Sequence, residues 1–325
     1  MKKVVIIVIA GILFFSVFTV FLPVGICEVI NGKTLYVGGS GSENYTKIKD
    51  AIDNASDGDT VFVYNGTYYE ELIINKTIEL FGQDRNSTFI VCGNSGFTVY
   101  FWDDVSNRSS IHGFTITHNN YPYPGDGIAV GSSSIKIYDN VITGNSDGIF
   151  IGLGLTEVFQ NEITDNQMDG IVLHWESDYS SIYENKILNN NGVGIAVKSS
   201  NNLIKNNTIN NNEDGIQIHL SADFNNITLN TVIGNNKGFL ISPYCCYNNI
   251  FENFISSNNY GIFLQATDET KQCENNYYDN NFSNNDIDFY DESTILGKKG
   301  TPGFELILII CAITLVLLLK RKRIS

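Results

Sequence analysis

The sequence predicts an all-β fold: a right-handed parallel β-helix solenoid of about nine or ten coils with an N-terminal capping helix. Three observations predict it. An asparagine recurs every 21 to 27 residues through the middle of the chain, a second asparagine follows each of these five residues later, and a glycine followed by alternating apolar residues completes each repeat. Since apolar residues at every second position indicate a strand with one buried face, each repeat predicts a coil of two or three very short strands.

The repeat holds through seven consecutive coils. Its first asparagines are Asn140, Asn161, Asn185, Asn207, Asn230, Asn253 and Asn280, its second asparagines are Asn145, Asn166, Asn190, Asn212, Asn235, Asn258 and Asn285, and its glycines are Gly127, Gly148, Gly170, Gly194, Gly215, Gly238 and Gly261. Asn and Gly tolerate positive φ best, so they suit the corners between strands. Equivalent corners of stacked coils lie about 4.8 Å apart, which lets the Asn amides hydrogen-bond along the solenoid.

The solenoid needs a cap at its end, because an open end exposes strand edges and core. Residues 45–55 place Ile48, Ala51, Ile52 and Ala55 on one helical face, which predicts the capping helix, and residues 60–64 are expected to form the first strand. The chain therefore divides into residues 1–27, a signal peptide or N-terminal anchor; 28–107, the cap and first coils; 108–296, the β-helix repeats; and 297–325, a linker with a C-terminal sorting or transmembrane tail.

Both ends of the chain have the composition of targeting segments. Lys2 and Lys3 precede an apolar stretch, which is typical of a secretory signal, although the stretch is long enough to stay as an anchor. Near the other end, Pro302, Gly303 and Phe304 precede an apolar run of 14 residues and a basic end. This run is short for a bilayer span, so it suits either a processing signal or a plain anchor. Both basic ends would lie inside, so an extracellular, cell-surface and membrane-anchored protein is expected.

Charge and sequons agree with this location. Residues 1–27 carry +2 and residues 305–325 carry +3 of the formal charge of −15, which leaves −20 for residues 28–304. So acidic a region argues against a nucleic-acid partner. Nine asparagines begin N-glycosylation sequons: Asn44, Asn54, Asn65, Asn75, Asn86, Asn107, Asn206, Asn226 and Asn281. Cys246 and Cys273 stand about one coil apart, a spacing that permits a disulfide in an oxidising exterior.

Residues 47–82 and the coils after them resemble archaeal surface β-helix proteins of the pectin-lyase-like superfamily, and the NosD-type periplasmic β-helix is the group they resemble most. The end of the chain resembles the PGF-CTERM sorting signal, which implies an archaeosortase-type processing enzyme as a partner. The resemblance implies the fold but no single activity, because this scaffold carries lyases, hydrolases, adhesins and accessory proteins. Pectate-lyase-like chemistry uses an arginine base, and no Arg occurs between Arg108 and Arg321.

Candidate site residues lie in two rows beside the repeat glycines. His174 and His219 fall four positions after their glycines, and with Glu176 they are the candidate acid–base residues of an enzyme. Asp126, Asp147 and Asp169 each precede a repeat glycine, and as hard oxygen ligands they are candidates for calcium, although Asp before Gly is also ordinary turn chemistry. No other cofactor is indicated. A copper site would need more imidazole or sulfur ligands than the four scattered His and Met168 supply.

The first functional prediction is a surface protein that binds polysaccharide or envelope glycans in a structural or adhesive role. Its candidate stacking residues are Tyr121, Tyr123, Trp175, Tyr179, Tyr244 and Tyr247. Two alternatives stay open: a glycoside hydrolase or lyase-like enzyme, and a NosD-like accessory protein of a copper site. The enzyme alternative predicts that His174, Glu176 and His219 line one groove, whereas a structural role predicts that they are scattered over an open face.

Overall fold

A computed structural model describes residues 32–93, 96–102, 107–119, 124–266 and 273–296 of the chain. All of these belong to one compact unit that begins at Gly32. The predicted leader or anchor and the sorting residues Pro302, Gly303 and Phe304 lie outside the described residues. Within the part that the structure describes, no helix is long and apolar enough to cross a membrane.

The chain winds into three parallel sheets, A, B and C, and each coil contributes one strand to each sheet in that order. Sheet A contains β1 (Thr34–Val37), β2 (Thr60–Val63), β5 (Glu79–Gly82), β8 (Ser110–His112), β11 (Lys136–Tyr138), β14 (Glu157–Phe159), β17 (Ser181–Tyr183), β20 (Leu203–Lys205), β23 (Asn226–Thr228), β26 (Asn249–Phe251) and β29 (Asn276–Tyr278). Sheet B contains β3 (Gly66–Tyr68), β6 (Thr88–Cys92), β9 (Thr115–His118), β12 (Val141–Thr143), β15 (Glu162–Thr164), β18 (Lys186–Leu188), β21 (Thr208–Asn210), β24 (Thr231–Ile233), β27 (Phe254–Ser256) and β30 (Asn281–Ser283). Sheet C contains β4 (Leu72–Ile74), β7 (Phe97–Phe101), β10 (Asp126–Val130), β13 (Ile149–Ile151), β16 (Ile171–Leu173), β19 (Ile195–Val197), β22 (Asp214–Ile218), β25 (Lys237–Ile241), β28 (Tyr260–Leu264) and β31 (Ile287–Asp291).

The predicted all-β right-handed parallel β-helix is thus confirmed. It has about eleven turns, because sheet A has eleven described strands, and this is slightly more than the nine or ten counted from the repeats. The expectation that residues 60–64 form the first strand is wrong, since Thr34–Val37 precedes the helix and pairs with Thr60–Val63. This early strand carries no repeat asparagine or glycine, so the repeat pattern could not reveal it.

Inward-facing aliphatic residues fill the interior in register from coil to coil. Ile137, for example, pairs with Ile111 of the coil before and with Val158 of the coil after, and all three side chains are fully buried. The same stacking continues through the described sheets and gives one continuous core. Because each coil rests only on its neighbours, the stability of the solenoid is approximately a sum over adjacent coils.

Buried asparagine ladders hold the corners, as the repeat predicts. In the first ladder the side-chain amide of Asn161 donates to Oδ1 of Asn185 at 3.0 Å, and the amide of Asn185 donates to Oδ1 of Asn207 at 3.0 Å. The second ladder begins at Asn145 and repeats this geometry. A third ladder at the corner from sheet C to sheet A was not predicted. It is formed by Asn202, Asn225, Asn248 and Asn275.

The N-terminal end is closed by α1 (Ile48–Asn54), which buries Ile48, Ala51 and Ile52 against the first coils as predicted. Residues far along the chain hold both helix ends. The carboxylate of Glu70 accepts the backbone N–H groups of Ile48 and Lys49, and the ammonium of Lys76 donates to the carbonyls of Ile52, Asp53 and Ala55. At the other end, α2 (Ser293–Leu296) follows the last strand.

Candidate functional site

The outer face of sheet C carries three rows of side chains that run along the solenoid. The middle row is Ile73, Tyr100, Ala129, Phe150, Val172, Ala196, Gln217, Leu240, Phe263 and Tyr290. The row after the strands is Trp102, Gly131, Gly152, His174, Lys198, His219, Ser242 and Gln265. The row before the strands includes Phe97, Asp126, Asp147, Asp169, Asp214, Lys237 and Tyr260.

The middle row lies low between the other two. Ala129, Val172 and Ala196 point outward, yet each is at most 2% exposed. Their burial follows from their small size, since the taller side chains of both flanking rows overhang them. The outer face of sheet C is therefore a shallow groove, which we call the sheet C groove.

A pocket of about 380 Å³ opens in this groove. Its lining consists of Phe97, Tyr100, Ala129, Val130, Gly131, Phe150, Gly152, Leu153, His174 and Glu176. Gly131 and Gly152 occupy consecutive positions of a flanking row that carries larger side chains in the next coils, so the missing side chains create the space. We call this cavity the aromatic pocket.

Aromatic rings surround the aromatic pocket and contact one another. The ring centroid of Tyr100 lies 5.1 Å from that of Phe97 and 5.3 Å from that of Trp102. On the other side, Phe150 lies 5.2 Å from the imidazole of His174, which in turn lies 4.9 Å from Trp175. Trp175 is 68% exposed, so its ring is available to a ligand.

The structure brings two of the three candidate acid–base residues together. His174 and Glu176 both line the aromatic pocket, whereas His219 lies two coils further along the groove and does not line it. Burial, and next the nearby charge of Lys198, lower the pKa of His174 and of His219, so both imidazoles are neutral near neutral pH. The Nε2 atom of His219 is buried and forms no hydrogen bond within the described structure.

The three aspartates proposed for calcium do not form a metal site. Oδ1 of Asp126 accepts the backbone N–H of Asp147, Oδ1 of Asp147 accepts that of Asp169, and Oδ1 of Asp169 accepts that of Val193. Their carboxylates therefore serve as a ladder between coils. In the described ranges no group of three or more His, Cys, Asp or Glu side chains converges as metal ligands, which also removes the basis for a copper site there.

Burial raises the pKa of all three carboxyls in this ladder. The pKa of Asp147 rises to about 7, first because burial disfavours the charged form and also because Asp126 and Asp169 lie close. The backbone hydrogen bond and Lys198 act in the opposite direction but do not compensate. Asp214 has the same position in a later coil and forms an ion pair with Lys237 at 3.3 Å.

The remaining predicted residues are spread over other parts of the molecule. Cys246 and Cys273 form a disulfide with their Cα atoms 4.7 Å apart. Tyr179, Tyr244 and Tyr247 are exposed but do not line the aromatic pocket, and Tyr121 and Tyr123 lie outside the described residues.

All nine sequon asparagines lie in the described structure. Those that are exposed are Asn54, Asn65, Asn75, Asn86, Asn206, Asn226 and Asn281, while Asn44 and Asn107 are partly buried. None of them belongs to the stretch of the sheet C groove between Trp102 and Gln265. Occupied sequons would therefore leave the aromatic pocket open.

Sequence reasoning missed Tyr100, Phe150 and the role of the two glycines. Gly131 and Gly152 do stand in the row identified from the sequence, but a glycine in a repeat gives no signal that a cavity lies above it. The outward position of Tyr100 and Phe150, between two inward residues of their strands, was the signal that could have found them.

Comparisons with known proteins agree on the fold. Residues 98–255 match the family model described as a right handed beta helix region, and no curated protein matches the chain. The A-module of mannuronan C-5 epimerase AlgE4 from Azotobacter vinelandii is 15% identical, with a TM-score of 0.52 over 75% of this chain and 92% of that one. The Dettilon tailspike protein is 16% identical, with a TM-score of 0.58 over 71% of this chain and 52% of that one. Pectate lyase Pel9A is 11% identical, with a TM-score of 0.51 over 79% and 78%. At such identities the likeness shows the fold alone.

Proposed function

We propose that this right-handed parallel β-helix is a secreted surface protein that binds carbohydrate in the aromatic pocket of the sheet C groove. The observation that carries the proposal is the pair of glycines, Gly131 and Gly152, which opens a cavity between the rings of Tyr100 and Phe150. Aromatic rings offer an apolar surface to the C–H groups of a sugar, and the polar atoms of His174 and Glu176 can meet its hydroxyl groups.

The shape of the groove suits a polymer better than a small isolated ligand. The low middle row continues past the aromatic pocket through Val172 and Ala196, so neighbouring sugar units would find further floor. The structural neighbours named for polysaccharides support a glycan partner in general. The proposal includes export by the N-terminal segment, processing or anchoring through the tail near Pro302, and glycosylation of exposed sequons such as Asn206.

The test is retention of the full-length protein on a panel of neutral and acidic polysaccharides and envelope glycans. We expect Tyr100→Ala and Phe150→Ala to reduce retention about tenfold, because each removes a ring from the aromatic pocket. Tyr183→Ala is the matched control, since Tyr183 is a ring on the outer face of sheet A. Unchanged retention of both pocket variants, or an equal loss in the control, would contradict the proposal.

A glycan-cleaving activity is the second candidate, favoured by the presence of His174 and Glu176 in the same pocket. An imidazole of lowered pKa and an exposed carboxylate are groups that general acid–base catalysis uses. The same incubations should be assayed for new reducing ends. Release that is lost in Glu176→Gln and in His174→Ala would establish an enzyme, and retention without release would leave a binding protein.

A further inference from the structure

A second cavity, distinct from the sheet C groove, lies at the C-terminal end of the solenoid. Its volume is about 430 Å³, and its floor includes the core residues Ile241, Leu264 and Cys245. It forms where the repeat lengthens, because the step from Asn253 to Asn280 is 27 residues. We call this cavity the C-terminal pocket.

Three aromatic rings line the C-terminal pocket. The ring centroids of Tyr277 and Phe289 lie 5.4 Å apart in an edge-on arrangement, and Tyr244 contributes the third ring. Phe289 is 44% exposed and Tyr244 is 58% exposed, although both belong to a structure with a well-filled core. Rings left this open on the walls of a cavity are available to a ligand.

The charged groups of the C-terminal pocket are all acidic. Glu274 and Asp291 line it, and its described lining contains no Lys, Arg or His. Oδ1 of Asp291 accepts the backbone N–H and the hydroxyl of Ser293 at 2.9 and 2.7 Å, which fixes the carboxylate beside the cavity. Glu274 is exposed, and its carboxylate can turn toward a bound cation.

We propose that the C-terminal pocket binds a small organic cation that carries an ammonium group on an apolar body. The rings of Tyr244, Tyr277 and Phe289 attract a cation through their negative faces, and the apolar floor accepts its carbon atoms. The two carboxylates add a charge that a neutral sugar would not use. A cavity of this volume is within the range of ligand sites, and the acidic surface of the chain favours the approach of cations.

The experiment compares choline with its uncharged isostere 3,3-dimethylbutan-1-ol by calorimetric titration of the full-length protein. We expect choline to bind about tenfold more tightly, since only the charged compound gains from the rings and the carboxylates. Phe289→Leu and Glu274→Gln should each weaken choline binding about three- to tenfold while leaving the isostere unaffected. Glu252→Gln, a change of an exposed carboxylate outside the pocket, is the matched control and should bind choline as the unaltered protein does.

Two sources could supply such a cation, a free metabolite or a lysine side chain of another protein. A peptide with trimethyl-lysine distinguishes them: tighter binding of the peptide than of choline indicates a protein partner, and the reverse indicates a free ligand. Equal affinity for choline and the isostere would overturn the proposal, as would no binding of choline or the peptide up to about 10 mM. An equal loss in Glu252→Gln would also overturn it. Thermal unfolding of each variant verifies that the fold is intact, and glycan retention is unaffected by either outcome.

Discussion

The phenolic oxygen of Tyr100 lies over Gly131, so close that a β-carbon added to this glycine would be 2.6 Å from it. The side chain of Tyr100 can hold this position only because residue 131 has no side chain. The approach links a ring of the aromatic pocket to the glycine that opens the pocket.

Gly131→Ala is expected to lower glycan retention several-fold by pushing the ring of Tyr100 out of place. The backbone at this position does not require glycine, and loss of a glycine lowers the entropy of the unfolded chain, so the melting temperature should change little. Retention and thermal unfolding measured together separate the two effects. Gly66→Ala is the control, because its β-carbon would meet the ring of Tyr68 only at an ordinary contact distance of 3.4 Å. Full retention in Gly131→Ala would show that Tyr100 does not contact the glycan.

Asn185→Ala is expected to destabilise the solenoid by about 3 kcal/mol. Its amide donates to the carbonyl of Val158 at 2.8 Å and to Oδ1 of Asn207, and its own Oδ1 accepts two N–H groups of Asn161. The substitution leaves these buried groups without partners. Denaturant unfolding measures the change, and Asn191→Ala, at an exposed asparagine outside the ladders, should be nearly neutral. Equal effects of the two substitutions would mean that the ladder contributes little.

The repeat was visible in the sequence because it is a matter of local chemistry. Asn185 and its equivalents stand at a fixed interval, and the aliphatic residues beside them alternate with period two, so corners, strands and stacking could all be predicted. The third ladder was missed because its row begins as Thr156 and Ser180 and becomes asparagine only from Asn202 onward. A motif that starts midway through a chain gives no period to count.

The aromatic pocket could not be predicted, because it depends on how different coils combine. Phe97 and Tyr100 come from one coil, Gly131 from the next and His174 from another two coils later. Each coil alone has an ordinary sequence. The calcium prediction failed for a related reason: Asp147 is directed toward the backbone of the following coil, which a list of hard oxygen ligands does not show.

Asp147→Asn is expected to make stability less dependent on pH. The folded pKa of Asp147, about 7, lies above the unfolded value of about 3.9, so the folded state binds the extra proton and stability falls as pH rises between these values. Asparagine keeps the oxygen that accepts the N–H of Asp169 but carries no charge. The variant should match the unaltered protein near pH 4 and exceed it by about 2 kcal/mol at pH 8, a figure reduced from the full shift because the groove is partly open to water.

Denaturant unfolding at a series of pH values checks this prediction. Asp165→Asn is the control, since Asp165 is exposed and lies outside the buried ladder. Its stability profile should follow that of the unaltered protein. A variant at position 147 that is no more stable at pH 8 than at pH 4, relative to the unaltered protein, would show that burial does not penalise this carboxylate.

Lys76→Met is expected to loosen the N-terminal cap. The ammonium of Lys76 is the group that satisfies the last carbonyls of α1, at distances of 2.6 to 3.0 Å, and hydrogen bonds to a charged group contribute about 1.5–3 kcal/mol. Amide hydrogen exchange in residues 48–55 should accelerate, while exchange in distant coils should not. Lys136→Met is the control, because Lys136 forms only an exposed ion pair with Glu157, of a kind that contributes little.

Loss of the disulfide between Cys246 and Cys273 should loosen the last coil without unfolding the rest. The bond closes a loop of 27 residues, which corresponds to about 3–4 kcal/mol of lost freedom in the unfolded segment. Since each coil rests only on its neighbours, the effect should stay near the end of the solenoid. Hydrogen exchange after reduction should increase in β29, β30 and β31 and remain unchanged around Ile163. The double variant Cys246→Ser/Cys273→Ser should show this pattern already and gain nothing from reductant, which assigns the change to this bond and not to the buried thiols of Cys92 and Cys245. Faster exchange across all coils would instead mean that the solenoid unfolds as one cooperative unit, because coils that depend only on their neighbours cannot transmit the loss of a terminal bond over that distance.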